Sequence, residues 1–268
     1  MYGISASPAI KTIARLGFTA KGLVYSLIGI LAFMAAFELG RQSSNNIDKE
    51  TTFNFIEDLP GGKWLLAIVT LGICCYVVWR VVQALLPNHS NDSTTKNIFK
   101  KVRYLFSALV YLSLAFFAGK MVFQSGQSSG DKKQDAIQSV MQMNNGPLLI
   151  GIGAIIIAII GIYQIYYSFS EKYEKHVSLN YGNDKTSDLL LTSGKIGYVA
   201  RGIVWLIIGW LFGQAALHSN SSEAGDTAKA FQFLEEASYG SYLLGAVGFG
   251  LLCYGIFNFI RARYESFQ

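Results

Sequence analysis

Residues 20–29, AKGLVYSLIG, return at residues 200–209 as ARGIVWLIIG, and reading the two as copies of one helical unit decides the fold. Around them Gly17, Ala20, Gly22, Tyr25 and Gly29 recur 180 positions later as Gly197, Ala200, Gly202, Trp205 and Gly209. A second apolar stretch follows each copy. There Glu57, Gly62, Gly72, Cys75, Tyr76 and Arg80 map at an offset of 178 onto Glu235, Gly240, Gly250, Cys253, Tyr254 and Asn258. A diverged copy lies between, with Ala108, Tyr111 and Ala115 in step with Gly22, Tyr25 and Gly29, Gly146 under Gly62, and Gln164 under Arg80. Repetition on this scale sets the architecture before any local reading does. It divides the chain into three two-helix repeats, residues 1–90, 91–175 and 176–268.

A mean hydropathy of +0.34 with only 15% charged residues places the chain among membrane proteins. Six stretches are long enough to cross a bilayer core as helices, at residues 17–37, 63–86, 103–123, 147–169, 196–217 and 240–260. The expected fold is therefore all-α, with six transmembrane helices. The first span is too long for a signal peptide and lacks a small-residue cleavage site after it, so it is expected to stay in the mature protein. Cys74, Cys75 and Cys253 all fall inside spans, with no disulfide or metal spacing, and read as small apolar packing residues.

Charge sets the orientation. With six spans both termini share one side, and that side with the even-numbered loops collects 15 of the 22 Lys and Arg, among them Lys21, Arg80, Lys100, Lys185 and Arg201. By the positive-inside rule this face is cytoplasmic. The opposite loops are acidic, and two segments there, TTFNFIEDL and TAKAFQFLEEA, read as short amphipathic helices capping the bundle at the interface. The basic balance reports topology, and no nucleic-acid signature appears outside the membrane flanks.

Because each repeat holds an even number of spans, successive copies enter the membrane in the same direction and are related by an axis along the membrane normal. Three copies then imply a pseudo-threefold arrangement of helix pairs. Gly22, Tyr25 and Gly29 share one helix face, as do Gly202, Trp205 and Gly209, with Ala108 and Ala115 at the matching middle positions. Small residues of this kind let backbones approach closely in lipid, where van der Waals packing drives association.

The spans offer little for catalysis. His89, His176 and His218 stand at loops or span ends without a carboxylate or cysteine at ligand spacing, and no phosphate loop or nucleophile elbow is present. The reading is of a protein that is not an enzyme and carries no metal or cofactor. The exception is a polar triplet at one repeat position, Arg80, Gln164 and Asn258, with Tyr76 and Tyr254 one turn earlier. Intramembrane polar residues are costly and mark functional sites by default, although Arg80 could snorkel outward and the amides could bond neighbouring helices. Lys21 and Arg201, matched at the start of the first helices, read as interfacial anchors and candidate contacts for anionic lipid headgroups.

The repeated pattern A-[KR]-G followed by two apolar residues, an aromatic and a glycine four later, then P-G-G or Y-G-S and a closing Y-x-x-W-R, resembles the bacterial membrane family labelled domain of unknown function 1206. That resemblance implies three tandem two-helix units over nearly the whole chain. The middle repeat departs from it, with Ser107 in place of the basic residue and Ala108 in place of the glycine. The leading expectation is a multi-pass protein of the bacterial inner membrane that binds lipid or a hydrophobic small molecule, or partners another membrane protein. A transporter or channel with an axial path at Arg80, Gln164 and Asn258 is the alternative.

Overall fold

The structure, a computed structural model, describes residues 8–39, 62–85, 94–123, 137–170 and 184–264. Among them every regular element is a helix. The long helices are α1 (Pro8–Ala36), α2 (Gly62–Leu85), α3 (Thr94–Phe123), α4 (Gly146–Phe169), α5 (Asp184–His218) and α7 (Gly240–Tyr264), with the short α6 (Thr227–Glu235) between the last two. Each repeat thus contributes two long helices, as α1–α2, α3–α4 and α5–α7.

Five of the six are long and apolar enough to cross a membrane, which makes this a multi-pass membrane protein. The sixth expected span is present as α3, but its apolar run is confined to Ser107–Lys120. Lys96, Lys100, Lys101 and Arg103 occupy its first turns and Lys120 its last, which shortens the uninterrupted apolar length.

Helix ends repeat as the sequence does. Glu38 and Ser219 both adopt a left-handed backbone, φ 52° in each, just past the ends of α1 and α5. There Glu38 N–H bonds the carbonyl of Ala35 and Asn220 N–H that of Ala215, both at 3.0 Å, closing last-turn carbonyls that lipid could not satisfy. At the other end of the loop, Gly146 and Gly240 open α4 and α7 in equivalent turns. A side chain at Gly146 would overlap the carbonyl of Val140, and one at Gly240 that of Glu235.

The interfacial helix foreseen at residues 227–237 is α6. Asp226 caps it, accepting from the N–H of Ala228 at 3.0 Å, and it buries Ala230, Phe231 and Leu234 while Phe233 and Glu235 stay exposed. Its expected counterpart at residues 51–59 lies outside the described residues, as do His89 and His176.

The chain forms two compact units. The first comprises residues 1–23, 53–126 and 258–268, the second residues 24–52 and 127–257, so α1 and α7 each contribute to both. In the first unit α2 lies on α1 because Gly17 leaves room for the backbone of Tyr76, where a side chain would begin 2.6 Å from the Tyr76 Cα. α3 lies on α2, where a side chain at Gly119 would begin 3.9 Å from the Thr70 methyl.

In the second unit the same rule holds at the same repeat positions. Gly197 faces Tyr254, and a side chain there would begin 2.6 Å from the Tyr254 Cα. Gly209 of α5 faces Ala154 and Ala158 of α4, and Gly29 of α1 faces Gly248 and Leu252 of α7. These last two contacts use equivalent residues on both sides. Gly202 meets Ile165 and the carbonyl of Gly161, while Gly22, Ala108 and Ala115 are buried. α4 turns Ile150, Ala154, Gly161, Gln164 and Ser168 inward and leaves Leu148, Ile152, Ile155, Ile159 and Ile162 exposed as an apolar face.

Candidate functional site

Lys21 is placed on α1 one turn beyond Gly17, so the glycine contact that seats α2 also brings the Tyr76 side chain beside it. The ammonium does not extend outward as an anchor. It is 4% exposed and donates to the Tyr76 hydroxyl at 3.1 Å. It also lies over two aromatic faces, 4.9 Å from the ring of Tyr76 and 5.5 Å from that of Tyr111, where the negative π face attracts a cation.

Arg80, one turn beyond Tyr76, folds back along its own helix. Its Nε donates to the same hydroxyl at 2.8 Å, its Nη2 donates there too, and its Nη1 donates to Gln83 Oε1 at 2.7 Å. One phenolic oxygen therefore gathers a lysine and an arginine. The Tyr76 ring is held edge-on by Phe18 at 5.5 Å and Tyr111 at 4.6 Å, and Arg261 from the end of α7 lies 4.3 Å over Phe18.

The second unit carries the equivalent of this frame. Arg201 Nη1 donates to the Tyr254 hydroxyl, and the guanidinium lies 4.4 Å over the Tyr254 ring and 5.1 Å over that of Tyr25. Tyr25 and Tyr254 meet edge-on at 4.9 Å, and Tyr198 takes the place of Phe18 at 5.3 Å from Tyr254. In both units the cation stands between its own repeat's second-helix tyrosine and the first-helix tyrosine of another repeat.

The triplet is not gathered within one unit. Arg80 and Asn258 belong to the first and Gln164 to the second. Asn258 is fully buried, and Gln164, also buried, has an Oε1 with no hydrogen-bond partner among the described residues. The cysteines differ among themselves: Cys253 is buried and Cys75 half-buried, but Cys74 is exposed on the outer face of α2. His218 does find a carboxylate, with Nδ1 2.7 Å from Glu223 at the exposed end of α5.

Phe18, Gln83 and Arg261 were not singled out by the sequence, nor was the pairing of Lys21 with Tyr76 across 55 residues. A signal for that pairing exists inside the chain. Lys21 occurs with Tyr76 and Arg201 with Tyr254, whereas the middle repeat has lost both together, with Ser107 and Ile160 at those positions.

Three successive segments, residues 16–86, 102–171 and 196–265, match the family described as Domain of Unknown Function (DUF1206). The chain is also similar to a protein of Bacillus subtilis (strain 168) bearing the name Uncharacterized protein YxxB, 26% identical over 258 residues that cover 96% of this chain and 92% of that one. No solved structure matches.

Proposed function

The chain belongs to the DUF1206 family, and from that premise we propose that it is a lipid-binding protein of the bacterial plasma membrane, with both termini cytoplasmic and no catalytic activity of its own. The observation that carries this reading is the placement of buried Lys21 and half-buried Arg201 against tyrosine faces beside helices with exposed apolar faces. Cations held at that depth draw anionic headgroups, and the surrounding surface accepts acyl chains. We infer a pseudo-threefold arrangement of the repeats. It is supported by the equivalent contacts of Gly29 with Gly248 and Leu252 and of Gly209 with Ala154 and Ala158.

Lipid retention tests the reading. Protein purified in a neutral detergent is expected to carry phospholipid identifiable by native mass spectrometry, and to gain thermal stability when lipid is returned after stripping. No retained lipid and no gain in stability would count against it, leaving the membrane-partner reading. Orientation is tested separately. A Ser238→Cys variant, exposed at the start of α7 on the acidic side, is expected to react with a membrane-impermeant maleimide in intact cells. Reaction only after permeabilisation would reverse the topology.

The transport reading draws on one feature, the buried Gln164 Oε1 with no hydrogen-bond partner among the described residues, which is what a polar path through apolar helices requires.

A further inference from the structure

Resting on the lipid-binding reading, we propose that the first repeat alone holds a phosphate-binding site, formed by Lys21 and Arg80 around Tyr76, which takes the headgroup phosphate of an anionic phospholipid. Two like charges stand close together here. Lys21 Nζ at 3.1 Å and Arg80 Nε at 2.8 Å share one phenolic oxygen, so the two nitrogens are no more than about 6 Å apart. Arg261, 4.3 Å over Phe18 in the same unit, adds a third positive charge. An anion seated among them relieves their repulsion.

The chain contains its own control. In the third repeat the frame is the same, with glycine seating the second helix, the cation on the tyrosine hydroxyl and two aromatic faces around it. There the Arg80 position is Asn258, fully buried. The frame therefore closes without an arginine, and Arg80 is surplus to the helix packing. Arg201 faces two rings, which a single cation satisfies. The first repeat has placed a second cation where the third has an amide.

The chemistry selects phosphate. A guanidinium presents a planar fork that bonds two oxygens of one anion, and the ammonium on the far side of the Tyr76 hydroxyl adds a compact positive charge at short range. Access is from the Arg80 side. Lys21 is enclosed, whereas Arg80 is half-buried, and its bond to Gln83 fixes the plane of the fork near the end of α2.

The test uses the full chain, stripped of lipid in neutral detergent and titrated with short-chain phosphatidic acid, phosphatidylglycerol, phosphatidylcholine and, separately, inorganic phosphate. Phosphatidic acid and phosphatidylglycerol are expected to bind at least tenfold more tightly than phosphatidylcholine. Arg80→Asn, which writes the third repeat's residue into the first, is expected to weaken phosphatidic acid binding about tenfold, because it removes charge-assisted bonds. Arg263→Asn, at an exposed residue of α7, is expected to leave it unchanged.

Equal affinity for inorganic phosphate, lost in the same variant, supports the site and assigns it to a free phosphate. Weaker binding of inorganic phosphate assigns it to lipid. Unchanged affinity in Arg80→Asn, or phosphatidylcholine bound as tightly as phosphatidic acid, overturns the site while leaving lipid binding intact. Phosphate binding without any lipid binding does the reverse. Should Arg80→Asn fold poorly, the wild-type salt dependence decides: affinity for phosphatidic acid that does not fall with ionic strength overturns the proposal.

Discussion

Gly197→Leu is expected to lower the stability of the protein in detergent by about 3 kcal/mol or more, and to cost more than Gly202→Leu, which should fall within about 1 to 3 kcal/mol. Both glycines lie on α5, five residues apart in sequence, but their surroundings differ. A side chain at Gly197 begins 2.6 Å from the Cα and Cβ of Tyr254 and 2.7 Å from its nitrogen, so the helix itself must move. A side chain at Gly202 first meets Ile165 Cγ1 at 2.5 Å, part of a side chain that can change rotamer, and only then the carbonyl of Gly161 at 2.9 Å. Displacing α7 from α5 would also draw the Tyr254 hydroxyl away from Arg201. Thermal unfolding followed by size-exclusion chromatography measures both variants. Equal losses, or a smaller loss at Gly197, would mean that the backbone contact is not what seats the pair.

How far the sequence reaches is clear from these positions. The small-residue stripe and the glycines opening α4 and α7 were legible because close approach leaves one visible mark, the absence of a side chain, and the repeat prints that mark more than once. The number of spans was less so, because α3 keeps its helix while charge at both ends shortens its apolar run. The triplet at Arg80, Gln164 and Asn258 shares a repeat position. Sharing a position fixes the height on a helix, though, and not what the side chain bonds. Arg80 turns three of its five N–H donors onto Tyr76 and Gln83 of its own helix, a choice of rotamer that no spacing reveals. Lys21 and Arg201 looked like outward anchors because each stands near a span end; aromatic faces on neighbouring helices turned them inward. Those neighbours are set by which repeat packs on which, information that lies between segments and not within one.

Tyr76→Phe is expected to destabilise the protein by about 2 to 3 kcal/mol, against about 1.5 kcal/mol for Tyr254→Phe, since bonds to charged groups contribute about 1.5 to 3 kcal/mol and the Tyr76 hydroxyl accepts from both Lys21 and Arg80. Both substitutions keep the ring, so the edge-on contacts of Tyr76 with Phe18 and Tyr111, and of Tyr254 with Tyr25 and Tyr198, are preserved. What is lost is one oxygen. At Tyr76 that oxygen accepts from Lys21 and twice from Arg80, whereas at Tyr254 it accepts from Arg201. The Lys21 ammonium is also the more enclosed, and a buried charge deprived of an acceptor costs more than a half-buried one. A double-mutant cycle of Tyr76→Phe with Arg80→Asn separates the two donors. If Tyr76 holds both cations, the cycle should show coupling, and the loss remaining in the Arg80→Asn background should approach that of Tyr254→Phe, where Arg201 stands on the hydroxyl and an asparagine occupies the next turn. A loss at Tyr254 equal to that at Tyr76 would show that the second cation draws nothing from the shared oxygen, and Arg80 would then have to be held by Gln83 alone.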